Sequence, residues 1–375
     1  MKIAVNTRFL LKNKLEGIGK FTNEIFQRLV ESHPEHEFIF FFDRPYDPSF
    51  VFGKNVTPVV LFPPARHPIL FVWWFEWAVA RALRKYQPDI FVSTDGYLTL
   101  DTKVKTLLVI HDIAFVHFPE YVSKAGKIHY NYYTPKYVKK ANHILTVSSY
   151  SKQDIIKQYN APADKISVIY NGCDTKFKPI SANEKKAIQS EYSQNCPYFL
   201  YLGSIHPRKN VARLIRAFSA FKIKTNNNFK LLIAGRMAWQ VEDVKAALDA
   251  SDHQSDIILL DYVTDEVLPK MVASAHALTY VSLFEGFGIP ILEAMYCDVP
   301  AITSNVTSMP EVAGNASILV DPYDINTITD AMIKMASDDN FRNDLIKKGQ
   351  IQRELFSWST SAKQMYQTIE KIISE

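Results

Sequence analysis

Short runs of β-branched and aliphatic residues alternate along the whole chain with longer stretches whose apolar positions recur every three to four residues. An apolar run of four to six residues predicts a strand, and the longer period predicts a helix with one buried face. In the first half the runs fall at Lys2–Asn6, Glu37–Phe42, Ile90–Ser93, Thr106–Ile110, Ile144–Val147 and Ile166–Ile169, with helices among the intervening segments at Ile18–Ser32 and Tyr150–Tyr159. A second series follows at Tyr198–Leu202, Lys230–Ala234, Ile257–Leu260, Ala277–Val281, Ala301–Thr303 and Ser317–Val320. Strands that alternate with helices are βα units, because a parallel strand pair needs a crossover between its members. The expected fold class is α/β, with two Rossmann-like doubly wound parallel-sheet domains in tandem.

The pattern breaks between Asn171 and Asn195, where Pro179, Ser181 and Asn183 interrupt it before a polar helix at Glu184–Tyr192. This sets the expected domains at 1–178 and 179–355. A last helix, Ser359–Ile373 within 356–375, can pack back on the first domain. No sequence repeat or low-complexity tract is seen.

At 375 residues the chain exceeds what one core usually serves, and 47% hydrophobic with 22% charged residues is an ordinary globular composition. A net charge of +4 suits phosphate-bearing substrates or an anionic membrane surface without requiring either, and no nucleic-acid partner is expected. Cys173, Cys196 and Cys297 are widely spaced, which argues against a disulfide framework or zinc cluster and fits a reducing cytoplasm. The start, Met1–Asn6, turns polar too soon for a secretory signal. Ile69–Leu83, the most apolar stretch, is broken by Glu76 and Arg81 and is short for a membrane span.

Ligands of open parallel sheets bind beyond the carboxyl ends of the strands, so the residues that follow each strand are the candidates. Beyond the first come Gly17 and Gly19 around Ile18, either a plain turn or a place where backbone approaches a ligand. His111-Asp112 follows Thr106–Ile110 and offers an imidazole and a carboxylate, or a structural histidine and a helix cap. Ser148-Ser149 follows Ile144–Val147 and can bond a ligand or cap the next helix.

The second half carries denser chemistry. Gly203 is followed by Pro207-Arg208-Lys209-Asn210 and an amphipathic helix through Phe218. Two cations at a helix start oppose the helix dipole, so an anion is expected to offset them. A diphosphate would do so, held bidentately by Arg208 and as a point charge by Lys209; a solvated basic turn is the alternative. The loop Glu285-Gly286-Phe287-Gly288-Ile289-Pro290 follows Ala277–Val281, with Pro290 suited to a first helical turn and Glu293 soon after. Glu293 serves either the helix dipole or a vicinal diol such as ribose. No clustered Asp or His ligand set appears, so no metal is expected.

These residues together resemble the retaining glycosyltransferase family 4, of GT-B fold, over essentially the whole chain: Gly17-Ile18-Gly19, His111-Asp112, Val147-Ser148, Asn171-Gly172, Gly203 with Arg208-Lys209, Gly235, and Glu285 through Glu293. The most specific part is the glutamate pair, Glu285 and Glu293, around Gly-Phe-Gly, joined to Arg208-Lys209. The resemblance implies two domains facing a cleft and a nucleotide diphosphate-sugar donor, with no cofactor. It implies that Arg208 and Lys209 hold the diphosphate, that Glu293 binds the ribose, and that Glu285, Gly286, Phe287 and Gly288 face the sugar and phosphate. His111 would lie near the donor sugar, Gly17 and Gly19 near phosphate and acceptor, and Tyr262 and Val263 beside the base. Leu15-Glu16 departs from the family's usual small residues. The run His111-Asp112-Ile113-Ala114-Phe115 with Phe118-Pro119-Glu120 looks most like members that use GDP-mannose, a UDP-sugar being the other donor considered.

The expected function is therefore retaining transfer of a hexose to a saccharide or lipid-linked saccharide in cell-surface polysaccharide synthesis. The rivals are a sugar-nucleotide epimerase of the same architecture, a two-lobed sugar-binding protein, and a glycoside hydrolase with Glu285 and Glu293 as its carboxylates. The segment Arg66–Trp77, continuing through Arg81, Arg84 and Lys85, combines three tryptophans with cations. It reads either as a helix packed on the sheet or as a patch resting on the inner face of the cell membrane, peripheral to the cytoplasm.

Overall fold

The computed structural model describes residues 1–12, 14–65, 68–238 and 240–375. The chain forms two compact units, Met1–Asn171 with Ser357–Glu375, and Gly172–Phe356. The first unit is built on seven strands: β1 (Lys2–Asn6), β2 (Glu37–Phe42), β3 (Val56–Val60), β4 (Ile90–Ser93), β5 (Lys105–Val109), β6 (His143–Thr146) and β7 (Ile166–Val168). Every pairing is parallel, in the order β3-β2-β1-β4-β5-β6-β7, with Val5 opposite Phe40 on one side and Val92 on the other. Ile3, Ala4, Val5, Phe40, Phe91 and Leu108 are fully buried, as an unbroken apolar run must be when helices cover both faces.

β3 is absent from the sequence expectation because Pro58 interrupts its run. A proline cannot donate to the ladder, and β3 accordingly takes the outer edge, where it pairs with β2 alone.

The second unit has six strands: β8 (Tyr198–Leu202), β9 (Lys230–Ala234), β10 (Ile257–Leu260), β11 (Ala277–Tyr280), β12 (Ala301–Ser304) and β13 (Ser317–Val320). They too are all parallel, in the order β10-β9-β8-β11-β12-β13. In both sheets the strand order reverses beside the first strand, between β1 and β4 and between β8 and β11. Helices leave to opposite faces at such a point and open a crevice at the strand carboxyl ends.

Helix Ile18–Ser32 turns Phe21, Thr22, Ile25, Phe26 and Leu29 inward at the spacing of one helical face. The last helix, Trp358–Ser374, belongs to the first unit and buries Trp358, Met365, Ile369 and Ile372. Its final carbonyls would otherwise lack partners; Lys105 Nζ donates to those of Ile372 and Ile373 at 2.8 and 3.0 Å.

The tryptophan segment divides. Arg66 and His67 lie outside the described residues; beyond them run an α-helix at Pro68–Trp73, a π-helical stretch at Trp74–Val79 and an α-helix at Ala80–Tyr86. Trp74 and Phe75 are buried, and Trp74 donates to the Leu61 carbonyl at 3.2 Å, as the packed reading expects. Trp73 and Trp77 remain 56% and 51% exposed. Among the described residues no helix is long and apolar enough to cross a membrane.

Candidate active site

The reversal point of the second sheet gathers the sharpest chemistry. The chain leaves β8 through Gly203, makes a 3-10 turn at Pro207–Lys209, passes Asn210 in the left-handed region and enters helix Val211–Thr225. This helix runs past Phe218, where the sequence reading ends it. Asn210 Nδ2 ties the turn to the carbonyls of Val281 (2.9 Å) and Pro322 (2.7 Å), so the two cations sit on a fixed base.

Beyond β11 the chain presents Glu285, whose side chain is only 9% exposed. Lys209 Nζ donates to Glu285 Oε1 at 2.6 Å and to the Tyr280 hydroxyl at 2.9 Å, while Arg208 Nη1 lies 3.3 Å from Oε2 and donates to the Phe284 carbonyl. Glu285 is thus an anion of the chain itself that faces both cations. Burial pushes this carboxyl up, but Lys209 and then Arg208 pull it further down, to about 2. The same cations, added to burial, lower His206 to about 4. Burial first and the Glu285 charge second push the Tyr280 phenol far up.

The loop that follows is pinned from below. Ser308 Oγ donates to the carbonyls of Glu285 and Phe287, each at 2.9 Å, and Thr307 Oγ1 accepts the Glu285 N–H at 3.2 Å. Gly286 and Phe287 thereby lead to Gly288, the cap of helix Ile289–Tyr296, with Pro290 in its first turn. Glu293 is half-buried on that helix, one turn in.

Gly203 and Gly235 meet where β8 and β9 end: a Cβ on Gly235 would stand 1.9 Å from the Gly203 carbonyl oxygen, so no larger residue fits there. Next to Gly235 the exposed Arg236 stacks its guanidinium over the Tyr262 ring at 4.9 Å. Tyr262 is 52% exposed, with Val263 following it. Arg236 and Tyr280 are missing from the sequence reading. Arg236 was detectable as the residue just past a strand end, whereas Tyr280 looks like core until its hydroxyl is seen on Lys209.

In the first unit Gly17 caps helix Ile18–Ser32. Gly19 is buried, and a Cβ there would lie 2.5 Å from the Phe9 carbonyl oxygen, so it allows a close backbone approach. His111 follows β5, half-buried, with Nε2 2.9 Å from the Thr94 carbonyl and the Phe21 ring perpendicular to its own at 4.9 Å between centroids. Burial lowers its pKa, against the raising influence of the Thr94 carbonyl and the Asp112 and Asp95 charges. Asp112 accepts the Ala114 N–H at 2.9 Å. Ser148 caps helix Ser149–Tyr159 by accepting the Ser151 N–H at 3.0 Å, which is the structural role foreseen for it.

Sequence reasoning passed over a buried pair at the reversal point of this sheet. Arg8 Nε donates to Asp95, and the guanidinium packs on Phe9, Phe71, Phe75 and Tyr97 at 4.6–5.5 Å. Both residues stand just past strand ends, the position that marked the other candidates.

The sequence expects no metal; among the described residues the ligand atoms of His33, Glu35 and His36 nonetheless lie within 4.8 Å of one another. They lie at the amino end of β2, whereas His111 of the same unit follows the carboxyl end of β5. His36 already faces the Met1 amino group at 3.2 Å and the Tyr366 hydroxyl at 2.9 Å, and His33 stacks on Tyr366.

Two family models match the chain, Glycosyltransferase Family 4 over residues 15–177 and Glycosyl transferases group 1 over residues 183–352. The chain is 31% identical over 367 residues to O-antigen chain mannosyltransferase B of Escherichia coli, covering 94% of this chain and 96% of that protein. Its fold is similar to sucrose-phosphate synthase of Thermosynechococcus elongatus, with a TM-score of 0.80 at 18% identity over 100% and 99% of the chains. It is also similar to Anabaena HepE in complex with UDP and glucose, with a TM-score of 0.77 at 17% identity over 99% and 100%. The chain belongs to glycosyltransferase family 4: it is a hexosyltransferase of the GT-B fold that takes a nucleotide-sugar donor and a saccharide acceptor.

Proposed function

We propose that this chain transfers mannose from GDP-mannose, with retention of configuration, to a saccharide or lipid-linked saccharide in cell-surface polysaccharide synthesis. The observation that carries the reading is Arg208 and Lys209 held by Glu285 at the reversal point of the second sheet. Departure of the nucleotide builds negative charge on the diphosphate and oxocarbenium character on the sugar. Arg208, Lys209 and the N–H groups opening helix Ile289–Tyr296 answer the first charge without a metal. Glu285, ionised far below neutrality, is suited to orient the cations and face the sugar and unsuited to donate a proton, which disfavours the hydrolase reading. Glu293 is assigned to the ribose, and Tyr262 with Val263 to the base, where the Arg236–Tyr262 stack offers a flat exposed platform. His111, with Gly17 and Gly19, is assigned to the sugar and acceptor. The acceptor attacks on the face the nucleotide leaves, so no side chain need become a covalent nucleophile. The likeness to a protein named as an O-antigen mannosyltransferase supports the sugar, and the exposed Trp73 and Trp77 support a peripheral position on the inner membrane face.

The test is nucleotide release from GDP-mannose, GDP-glucose, UDP-glucose and UDP-galactose in chelator, with mannosylated acceptors. GDP-mannose should turn over fastest, and Arg208→Ala and Lys209→Ala should each slow it roughly a hundredfold or more, as loss of one transition-state charge stabiliser does. Faster turnover of a UDP-sugar, or activity that returns only with magnesium or manganese, would refute the donor or the metal-independent chemistry respectively.

A further inference from the structure

His111 is held by a polar relay that the transfer reaction does not by itself require. Its Nε2 lies 2.9 Å from the Thr94 carbonyl oxygen, which can only accept, so Nε2 carries the proton. Thr94 follows β4 at the reversal point of the first sheet and is almost fully buried. Its hydroxyl is 2.8 Å from the Thr22 hydroxyl and 3.2 Å from the Asn6 carbonyl. Thr22, wholly buried on helix Ile18–Ser32, is also 2.8 Å from the Ile18 carbonyl, and the Phe21 ring of that helix stands perpendicular to the imidazole, 4.9 Å between centroids. From the other side Ser151 Oγ, 3.0 Å from Ser148 Oγ, donates to the His111 carbonyl at 3.2 Å. Backbone and ring are thus both fixed, by residues on three elements.

We infer that the Thr22–Thr94 hydroxyl contact is a positioning device: it holds the Thr94 carbonyl on Nε2, locks His111 as the Nε2–H tautomer, and leaves Nδ1 as a hydrogen-bond acceptor for a sugar hydroxyl. A ring nitrogen's partner decides which nitrogen keeps the proton, so the carbonyl selects the chemistry offered by the opposite edge. Burial keeps the ring neutral at pH 7, against the carboxylates of Asp112 and Asp95, the titratable groups that act on it, while Thr94, Phe21 and Ser151 are uncharged. Below the lowered pKa both nitrogens would donate, and the acceptor would be lost. This inference rests on the sugar-transfer reading only for the identity of the hydroxyl.

The tautomer is measured without substrate, by nitrogen-15 NMR of the full chain labelled at histidine, with His111→Asn assigning the resonance. At pH 7.5 His111 should be the neutral Nε2–H form. Thr22→Val should give a tautomer mixture and a kcat lower by roughly tenfold, a size typical of losing a group that orients a functional residue; Thr22→Ser should keep the wild-type tautomer and rate. Saturating GDP-mannose, its binding verified by thermal shift, should move the Nδ1 resonance. An Nδ1–H or charged ring in the wild type, a Thr22→Val protein with the wild-type tautomer, or an Nδ1 signal indifferent to bound GDP-mannose would each overturn the inference. A chain with the stated tautomer that neither binds nor turns over GDP-mannose would instead refute the donor reading.

Discussion

Glu285 is a carboxylate that two cations already hold, and this makes its charge visible in stability as well as in catalysis. Its folded pKa, about 2, lies below the ordinary value of 4.5, because Lys209 and Arg208 outweigh the burial that opposes them. The sign follows: a depressed carboxyl stabilises the fold fully above its unfolded pKa, and the contribution fades as pH falls toward the folded value. The full contribution is about 3 kcal/mol. Glu285→Gln keeps the shape and removes the negative charge that faces Arg208 and Lys209. The urea midpoint of the variant should fall below wild type at pH 7, and the gap should narrow by pH 3. A gap that stays constant from pH 7 to pH 3 would show that the carboxylate's charge is not what stabilises the site.

The last helix shows what an element can do far from its neighbours in sequence. Trp358–Ser374 joins the first unit, where Trp358, Ala362, Met365, Ile369 and Ile372 are each less than 5% exposed and Ser361 Oγ donates to the Tyr170 carbonyl. Five such side chains bury on the order of 10 kcal/mol as an upper estimate, comparable with the 5–15 kcal/mol that stabilises a whole domain. Removing residues 357–375 should therefore abolish cooperative unfolding of the first unit and leave the second intact, read as hydrogen-exchange protection strand by strand. Undiminished protection of β1 and β5 would contradict this. The helix itself was legible from its 3.6-residue period, and most strands from their apolar runs, because a strand covered on both faces has no polar side to disguise it. β3 was not, since Pro58 imitates a break and only sheet order reveals an edge. The candidate site divides in the same way. Arg208, Lys209 and Glu285 announce themselves as charges beside strand ends, but their mutual pairing is a tertiary fact. So is the relay from Thr22 through Thr94 to His111, whose members lie 72 and 17 residues apart.

At the scale of the whole molecule, the tryptophan segment bears on where the protein works. The packed reading of that segment holds for Trp74 and Phe75, which face the core, while Trp73 and Trp77 lie 6.3 Å apart between ring centroids and are exposed, which the membrane reading needs. Phe62, 77% exposed, follows Leu61, whose carbonyl takes the Trp74 N–H, and Val60 is 48% exposed. Arg81 covers Trp77 at 5.9 Å, and Lys85 lies over Tyr86. Indoles with adjoining cations are the composition that settles at a bilayer surface. Arg84 is already paired with Asp101 at the surface, so its charge is partly answered within the chain. The apolar contacts should then carry more of the binding than Arg84 does. Trp73→Ala/Trp77→Ala should weaken association with anionic liposomes more than Arg84→Glu does. Raising salt should weaken the wild type by shortening the reach of its charges, about 10 Å at 0.1 M. Sedimentation with vesicles of neutral and anionic lipid at two salt concentrations reads both effects. Failure of the wild type to bind anionic vesicles at low salt, with efficient transfer to a water-soluble acceptor, would leave Trp73 and Trp77 as exposed aromatics without a membrane role.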